Sequence, residues 1–370
     1  MKIGTTLITG FPNLTVRRLA RLLADKGEKA LLLCQPKVLE RAREFGRAVS
    51  PEGRIEAMAG DVLHLDLGLS GEEVRRIHRD VRVVHHAASI DYPNAPATLT
   101  RRVNVEGTAN VLDFAKDLRH LDRVVLHSTA FVAGDRTGVI LEEELDEGQA
   151  FRDAWERSRF EAEVLARSRM KDLPICVVRP SLIVGDSVTG EADRLDGPYF
   201  LIRTLITFPL DVALPLPGGG IHPLNLVPVD FVAAAADGLA RHPGAAGRTF
   251  HLTDPNPLSA AKVFEVIAEA AGRKRPRGRI PPLAYRMLFD LPVIGPLIRP
   301  QQHFLECFDR LALYNCMNTL ECLAGTGIAC PSFPRYAAAI VAHVRDRTAS
   351  RKGPGQEPDE IREEDAFEPG

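Results

Sequence analysis

The chain has 370 residues, 47 Lys+Arg against 49 Asp+Glu for a formal net charge of −2, and 45% hydrophobic residues. That length and apolar content suit one large or two unequal globular domains. The near balance of charge removes any electrostatic reason to expect nucleic acid or an anionic membrane as the main partner, leaving small molecules and proteins. The opening MKIGTTLITG reads as a buried strand and not as a leader, so a cytoplasmic protein is expected. Six cysteines are too few for a disulfide scaffold in a chain of this size.

In chain order, KIGTTLITG, KALLLC, RIEAMAG, VRVVHHAA, RVVLHS and ICVVRP read as strands. Between them, LTVRRLARLLADKG, EEVRRIHRD, RRVNVEGTANVLDFAKDL and DAWERSRFEAEVLARS read as helices. This alternation predicts an α/β fold, a Rossmann-like doubly wound parallel sheet with a smaller, mostly helical C-terminal substrate domain. The expected boundaries are 1–185 and 225–260 for the dinucleotide-binding domain, 186–224 and 261–345 for the substrate or lid domain, and 346–370 for a disordered acidic tail. Ligands of such sheets bind beyond the carboxyl ends of the strands, so the turns after each strand carry the function.

The first turn, TLITGFPNLTVRRL, runs from a strand through Gly10 into a helix, as a dinucleotide loop requires. Positions 13 and 16, where such a loop often places glycine for close phosphate approach and helix packing, hold Asn13 and Val16. Asparagine tolerates unusual backbone angles but places a side chain where a pyrophosphate would lie. The second strand ends in Cys34 and Gln35, without the acidic residue that favours NAD or the arginine that favours NADP. Lys37, Arg17 and Arg18 are either phosphate attractors or solvated helix charges. His85 and His86 are adjacent on a strand, point to opposite faces and cannot easily share a metal, so at least one is a core histidine. Cys307, Cys316, Cys322 and Cys330 lack the paired short spacing of a zinc or iron–sulfur site and read as buried structural thiols.

Several motifs together resemble the extended short-chain dehydrogenase/reductases, in the branch of fatty acyl-CoA reductases and thioester-reductase domains. They are TGFP at 9–12, GDV at 60–62, HHAAS at 85–89, NVEGT at 104–108, HSTAFVAG at 127–134 and RPSLIVGDSVTGE at 179–191, continued by DGPYFLIRTL, VPVDFVAAA, FHLTDPNPLS and GTGIACPSF. The resemblance implies a pyrophosphate turn at Gly10 and Phe11, with Pro12 and Asn13 following. It also implies an adenine contact at Asp61 beside Val62, a floor under the nucleotide at Ala87 and Ala88, and Pro180 as a further cofactor-side residue. Ser128 and Thr129 fall where the family holds the substrate carbonyl. The family's proton-donating tyrosine, and the lysine that lowers its pKa and binds the nicotinamide ribose, fall at Trp155 and Arg159.

No other pair replaces them. The tyrosines Tyr92, Tyr199, Tyr285, Tyr314 and Tyr336 are followed four residues on by Pro96, Arg203, Phe289, Asn318 and Ile340. An indole N–H donates a hydrogen bond but has no usable acidity near neutral pH, and a planar guanidinium does not replace a compact ammonium. The expectation is therefore a pseudoenzyme with NAD or NADP binding weakened or lost and no metal. It would serve as a ligand-binding, scaffold or regulatory subunit, as a homo-oligomer or paired with an active relative through residues 103–118 and 153–168. Trp155 then either packs into the vacated site or stacks on a ligand. The alternative is a working NAD(P)H-dependent reductase of an acyl thioester, aldehyde or related carbonyl with a rearranged site.

The segment 186–224 has the Gly, Pro and apolar content of a lid over an acyl or other apolar ligand. PPLAYRMLFDLPVIGPLIRP at 281–300 is too interrupted to span a bilayer and reads as an amphipathic cap, with peripheral membrane contact as the other option. FLECFDRLALYNCMNTLECL and YAAAIVAHVRDR read as helices.

Overall fold

The computed structural model describes residues 4–91, 95–193, 195, 198–207, 216–217, 220–280 and 311–350. Five strands and five helices build the first half: β1 (Thr5–Thr9), α1 (Leu14–Asp25), β2 (Ala30–Cys34), α2 (Leu39–Val49), β3 (Ile55–Ala59), α3 (Gly71–Asp80), β4 (Val81–His86), α4 (Ala97–Arg101), α5 (Gly107–Lys116) and β5 (Arg123–His127). There follow β6 (Gly138–Ile140), α6 (Ala154–Ser168), β7 (Ile175–Pro180), β8 (Leu182–Val184), α7 (Pro198–Thr207), β9 (Leu216–Pro217), β10 (Leu226–Pro228), α8 (Val229–Arg241), β11 (Thr249–Leu252) and α9 (Ala260–Ala271). Short strands β12 (Arg279–Ile280) and β13 (Ala312–Tyr314) and two further helices, Met317–Leu323 and Ala337–Ser350, complete the described chain.

The central sheet has seven strands in the order β11-β7-β5-β4-β1-β2-β3, and every pairing in it is parallel. All six predicted strands are present in it. The direction of winding reverses between β1 and β4, which places the ligand crevice at their carboxyl ends. One face packs α1 and α8, through Leu19, Leu23, Val232 and Ala236, and the other packs α3, α5 and α6, through Ile77, Val111, Leu112 and Ala166. Strands such as ALLLC are buried at all five positions, which is why they read as continuous apolar runs.

A second core gathers Tyr199, Ile202, Leu226, Phe264, Phe333, Tyr336 and Ile340 from α7, β10, α9 and the C-terminal helix. That helix continues to Ser350, so residues 346–350 do not belong to a disordered tail. Arg347 Nη1 donates to the Ala192 carbonyl at 2.8 Å, and Thr348 Oγ1 donates to the Val344 carbonyl at 2.6 Å, which carries the helix past the predicted break. A second correction concerns FLECFDRLALYNCMNTLECL. Within it, Ala312–Tyr314 is a strand paired in parallel with β6, and only Met317–Leu323 is helical among its described residues. The apolar cap at 281–300 and the tail 351–370 lie outside the described residues.

Candidate functional site

The strand ends at the crevice are fixed by hydrogen bonds that begin at His86. Its Nε2 lies 3.1 Å from Thr108 Oγ1, whose own hydrogen goes to the Asn104 carbonyl at 2.6 Å, so His86 is the Nε2–H tautomer. Its Nδ1 then accepts from Thr9 Oγ1 at 2.8 Å, and Thr9 Oγ1 in turn accepts from the Ala88 amide at 3.3 Å. The ends of β1 and β4 are thereby locked side by side under the first turn.

Gly10, at that turn, has φ +101°, and a Cβ there would stand 2.6–2.7 Å from the backbone of Ala87 and Ala88. Gly10→Ala is therefore expected to destabilise the chain by at least about 2 kcal/mol in urea denaturation, from backbone strain plus overlap. Asn13, by contrast, has φ −47° and needs no glycine: its Oδ1 accepts from the Thr15 amide at 2.8 Å and caps α1. Val16 is 1% exposed and packs with Phe11 and Leu19.

A cleft of about 290 Å³ opens beside this turn, lined by Gly10, Phe11, Cys34, Gln35, Asp61 and Ala88 among others. Asp61 accepts from Gln35 Nε2 at 3.2 Å and from the Leu63 amide at 2.9 Å, which aims its carboxylate into the cleft edge. Val62 also lines the cleft, and Ala87 is buried beneath it at 9% exposure. Lys37 is exposed on the turn after β2 and is not among the lining residues, and Pro180 ends β7 on the other side of the sheet centre. The structure thus places Gly10, Phe11, Asp61, Val62 and Ala88 around one cleft, with Lys37 and Pro180 apart from it.

Arg17 and Arg18 are a correction. They are neither open to a phosphate nor merely solvated. Arg17 pairs with Glu191 at 3.0 Å and with Asp193, and Arg18 pairs with Glu191 at 2.6 Å and Asp186 at 3.4 Å. Glu191 and Asp193 lie 174 and 176 residues from Arg17 along the chain, so no local pattern pairs them with α1.

Helix α6 carries Trp155 and Arg159. Asp153 caps it by accepting from the Glu156 amide at 2.8 Å, and Ser158 joins it to Asn104, whose Nδ2 donates to Ser158 Oγ at 2.9 Å. Asn104 sits in a π-helical turn, Arg102–Glu106, and also brackets Ile90 at the end of β4. Trp155 is half-buried, and its ring stands 6.0 Å from Phe131. Its indole N–H is buried with no hydrogen-bond acceptor among the described residues. Arg159 donates from Nη2 to the His127 carbonyl, so this guanidinium braces the end of β5.

The two hydroxyls after β5 divide. Ser128 Oγ donates to Glu163 Oε2 at 2.7 Å in the core, and Glu163 also takes Arg179 and Arg167. Those cationic partners hold the Glu163 carboxyl below its ordinary value in spite of full burial. Thr129 Oγ1 accepts from the Phe131 amide at 3.3 Å and keeps its hydrogen for donation, whereas that of Ser128 is spent on Glu163. Glu163 had no distinguishing signal in the sequence beyond its place in a charged helix. Phe131 also lines a pocket of about 430 Å³ with Ser181, Leu182, Leu224, Asn225 and Tyr314, a mostly apolar space next to the Trp155 ring.

His85 and His127 meet at 3.1 Å through Nδ1 and Nε2, both buried on the face opposite His86. Among the described residues no group of His, Cys, Asp or Glu could hold a metal ion, no helix is long and apolar enough to cross a membrane, and the cysteines are unpaired thiols.

This seven-stranded parallel sheet with its Gly10 turn, Asp61 edge and α6 pair is the Rossmann-like fold of an extended short-chain dehydrogenase/reductase. Residues 18–236 match the NAD-binding family described as Male sterility protein, and the chain belongs to that family. Nonribosomal peptide synthetase asaC of Aspergillus flavus is 31% identical over 306 residues, 74% of this chain and 28% of that protein. Fatty acyl-CoA reductase wat of Drosophila melanogaster is 25% identical over 219 residues, 51% of this chain and 42% of that protein. The chain therefore spans well under half the length of these relatives. The terminal R domain from the myxalamid PKS-NRPS biosynthetic pathway has the same fold, with a TM-score of 0.78 at 22% identity over 95% of this chain and 93% of that one.

Proposed function

We propose that this chain is a catalytically degenerate member of its reductase family. It binds an acyl or other apolar carbonyl ligand as a regulatory or scaffold subunit and does not reduce it at the family's rate. The observation that carries this reading is the pair on α6. The proton-donor seat holds Trp155, whose indole cannot release a proton near pH 7, and the lysine seat holds Arg159, which donates to the His127 carbonyl. The apolar pocket beside Phe131 and the Thr129 hydroxyl supply what binding a carbonyl compound needs. A partner of the same fold, active where this chain is not, would dock on residues 103–118 and 153–168.

The dinucleotide that the family implies fits in part. Gly10, Asp61, Gln35 and Ala88 line a cleft beside the turn, whereas the Leu14 and Thr15 amides at the start of α1 already have acceptors. No chemical step is assigned through that group.

The test is turnover. The unmodified protein is expected to leave NADPH unoxidised in the presence of an acyl-CoA or a long-chain aldehyde, and stoichiometric oxidation would sink the proposal. Trp155→Tyr with Arg159→Lys is expected to raise any residual rate by roughly 10²- to 10⁴-fold, the usual contribution of a positioned general acid. The second reading, a working reductase of a thioester or aldehyde, is favoured by the unpartnered buried indole N–H, which would polarise a carbonyl together with Thr129. It predicts that Trp155→Phe lowers activity that the unmodified chain already has.

A further inference from the structure

In a doubly wound fold the pyrophosphate of a dinucleotide is held by the backbone amides at the start of the first helix. Here the Asn13, Leu14 and Thr15 amides of that turn are already in use. Pro12 has no N–H, the Asn13 amide donates to the Gly10 carbonyl at 3.0 Å, and the Thr15 amide donates to Asn13 Oδ1 at 2.8 Å. The Leu14 amide is directed at the carboxylate of Asp193. Asp193 is brought there by Arg17, which binds it through Nη2 while Nη1 holds Glu191 at 3.0 Å and Nε donates to the Pro12 carbonyl at 3.2 Å. Arg18 anchors the same segment through Asp186 and Glu191.

The charges around this turn are already committed. Arg17 and Arg18 pair with the three carboxylates Asp186, Glu191 and Asp193, and Arg347 is bonded to the Ala192 and Asp193 carbonyls. A pyrophosphate would meet the Asp193 carboxylate at a position where the Leu14 and Thr15 amides are already taken. The neighbouring cleft is different in kind. Its walls are Phe11, Leu33, Cys34 and Val62, and its polar edge is the Asp61 carboxylate and Gln35 amide, which suit an uncharged base and sugar.

We propose that Asp193, supported by Glu191, occupies the pyrophosphate position of the cleft and thereby sets its selectivity: an uncharged nucleoside enters directly, whereas a dinucleotide must first displace the acidic segment 186–193. Asp193 is a specificity-determining residue in this arrangement, and Asn13 completes the exclusion by capping Thr15. The inference concerns binding alone, so it stands or falls without regard to turnover.

The experiment is titration of the full chain with adenosine and with NADPH, with no carbonyl compound present, followed by calorimetry. The unmodified protein is expected to bind NADPH no more tightly than adenosine. Asp193→Asn keeps the size of the side chain and leaves Arg17 its Glu191 partner, and it is expected to tighten NADPH roughly tenfold while adenosine changes less than about twofold. Asn13→Gly, which frees the Thr15 amide without touching the acidic segment, is expected to shift NADPH in the same direction. Thermal midpoints are recorded for both variants, and folded protein in either one suffices for the reading. An unchanged or weaker NADPH affinity in both variants overturns the proposal. So does NADPH binding to the unmodified chain more than about tenfold tighter than adenosine, or a failure of adenosine to saturate.

Discussion

Acidification from pH 7.5 to 5 is expected to remove much of the stability of this protein, through its buried histidines. Four imidazoles, His85, His86, His127 and His251, are between 0% and 6% exposed. Burial pushes His85 down to about 4, and His86 and His251 to about 3, and it pushes His127 well below its ordinary value, with Arg159 and the other two histidines adding to the effect. The hydrogen bonds agree with neutral rings. His251 Nδ1 faces the Asn315 carbonyl at 2.6 Å and must carry the hydrogen, leaving Nε2 to accept from Arg179 at 3.3 Å.

The sign follows from proton counts. In the unfolded chain each imidazole takes up a proton near pH 6.5, whereas in the folded chain His85 takes it up only near pH 4 and His86 and His251 near pH 3. Between those limits the unfolded state holds more protons, so stability is complete above about pH 7 and falls as pH drops through 6.5. His85, His86 and His251 then forfeit about 2 kcal/mol each at pH 5, on the order of 6 kcal/mol together, with His127 acting in the same direction, against the 5–15 kcal/mol of a typical domain. Urea midpoints at pH 7.5, 6.5, 5.5 and 5.0 would show this as a progressive collapse. A flat profile across that range would mean that the rings are charged or solvated in the folded chain.

Much of this fold was legible because parallel strands are buried on both faces and read as apolar runs. ALLLC and ICVVRP are buried throughout, and their alternation with amphipathic helices left few topologies open. Helix α2 was missed although LERAREFGRAV spaces Leu39, Ala42, Phe45 and Val49 three to four residues apart, a face that packs on the core. Strands β11 and β13 are four and three residues long, too short for a period to register, and β13 sat inside a stretch of helical composition. At the site, the positions of Gly10, Asp61, Thr129, Trp155 and Arg159 could be read from motif order. The partners of the charged residues could not. Arg17 meets Asp193 across 176 residues, and Ser128 meets Glu163 across 35, distances over which no local pattern connects them.

Removal of the Glu163 carboxylate is the mutation with the largest expected cost. Arg179 is 1% exposed and donates from Nε to both oxygens of Glu163 at 3.1 and 3.0 Å and from Nη2 to one of them at 2.7 Å. Glu163 is also the acceptor for Ser128 and Arg167. Glu163→Ala leaves a guanidinium in the core with only the Glu144 carbonyl and His251 for company, and is expected to cost about 3–5 kcal/mol. Since burial of two charges brings little net gain over apolar packing, the double variant Glu163→Leu, Arg179→Met should recover much of that loss. Urea denaturation of Glu163→Ala, of Arg179→Met alone and of the double variant separates the pairing from the packing: a Glu163→Ala cost below about 1 kcal/mol would show that the core tolerates the bare arginine. The site responds as well. Glu163 lies one turn beyond Arg159 on α6 and fixes Ser128 next to His127, so its loss should loosen the Arg159 contact to the His127 carbonyl. Weaker binding of a long-chain aldehyde by Glu163→Gln, which keeps the shape of the side chain but not its charge, would register that loosening apart from global stability.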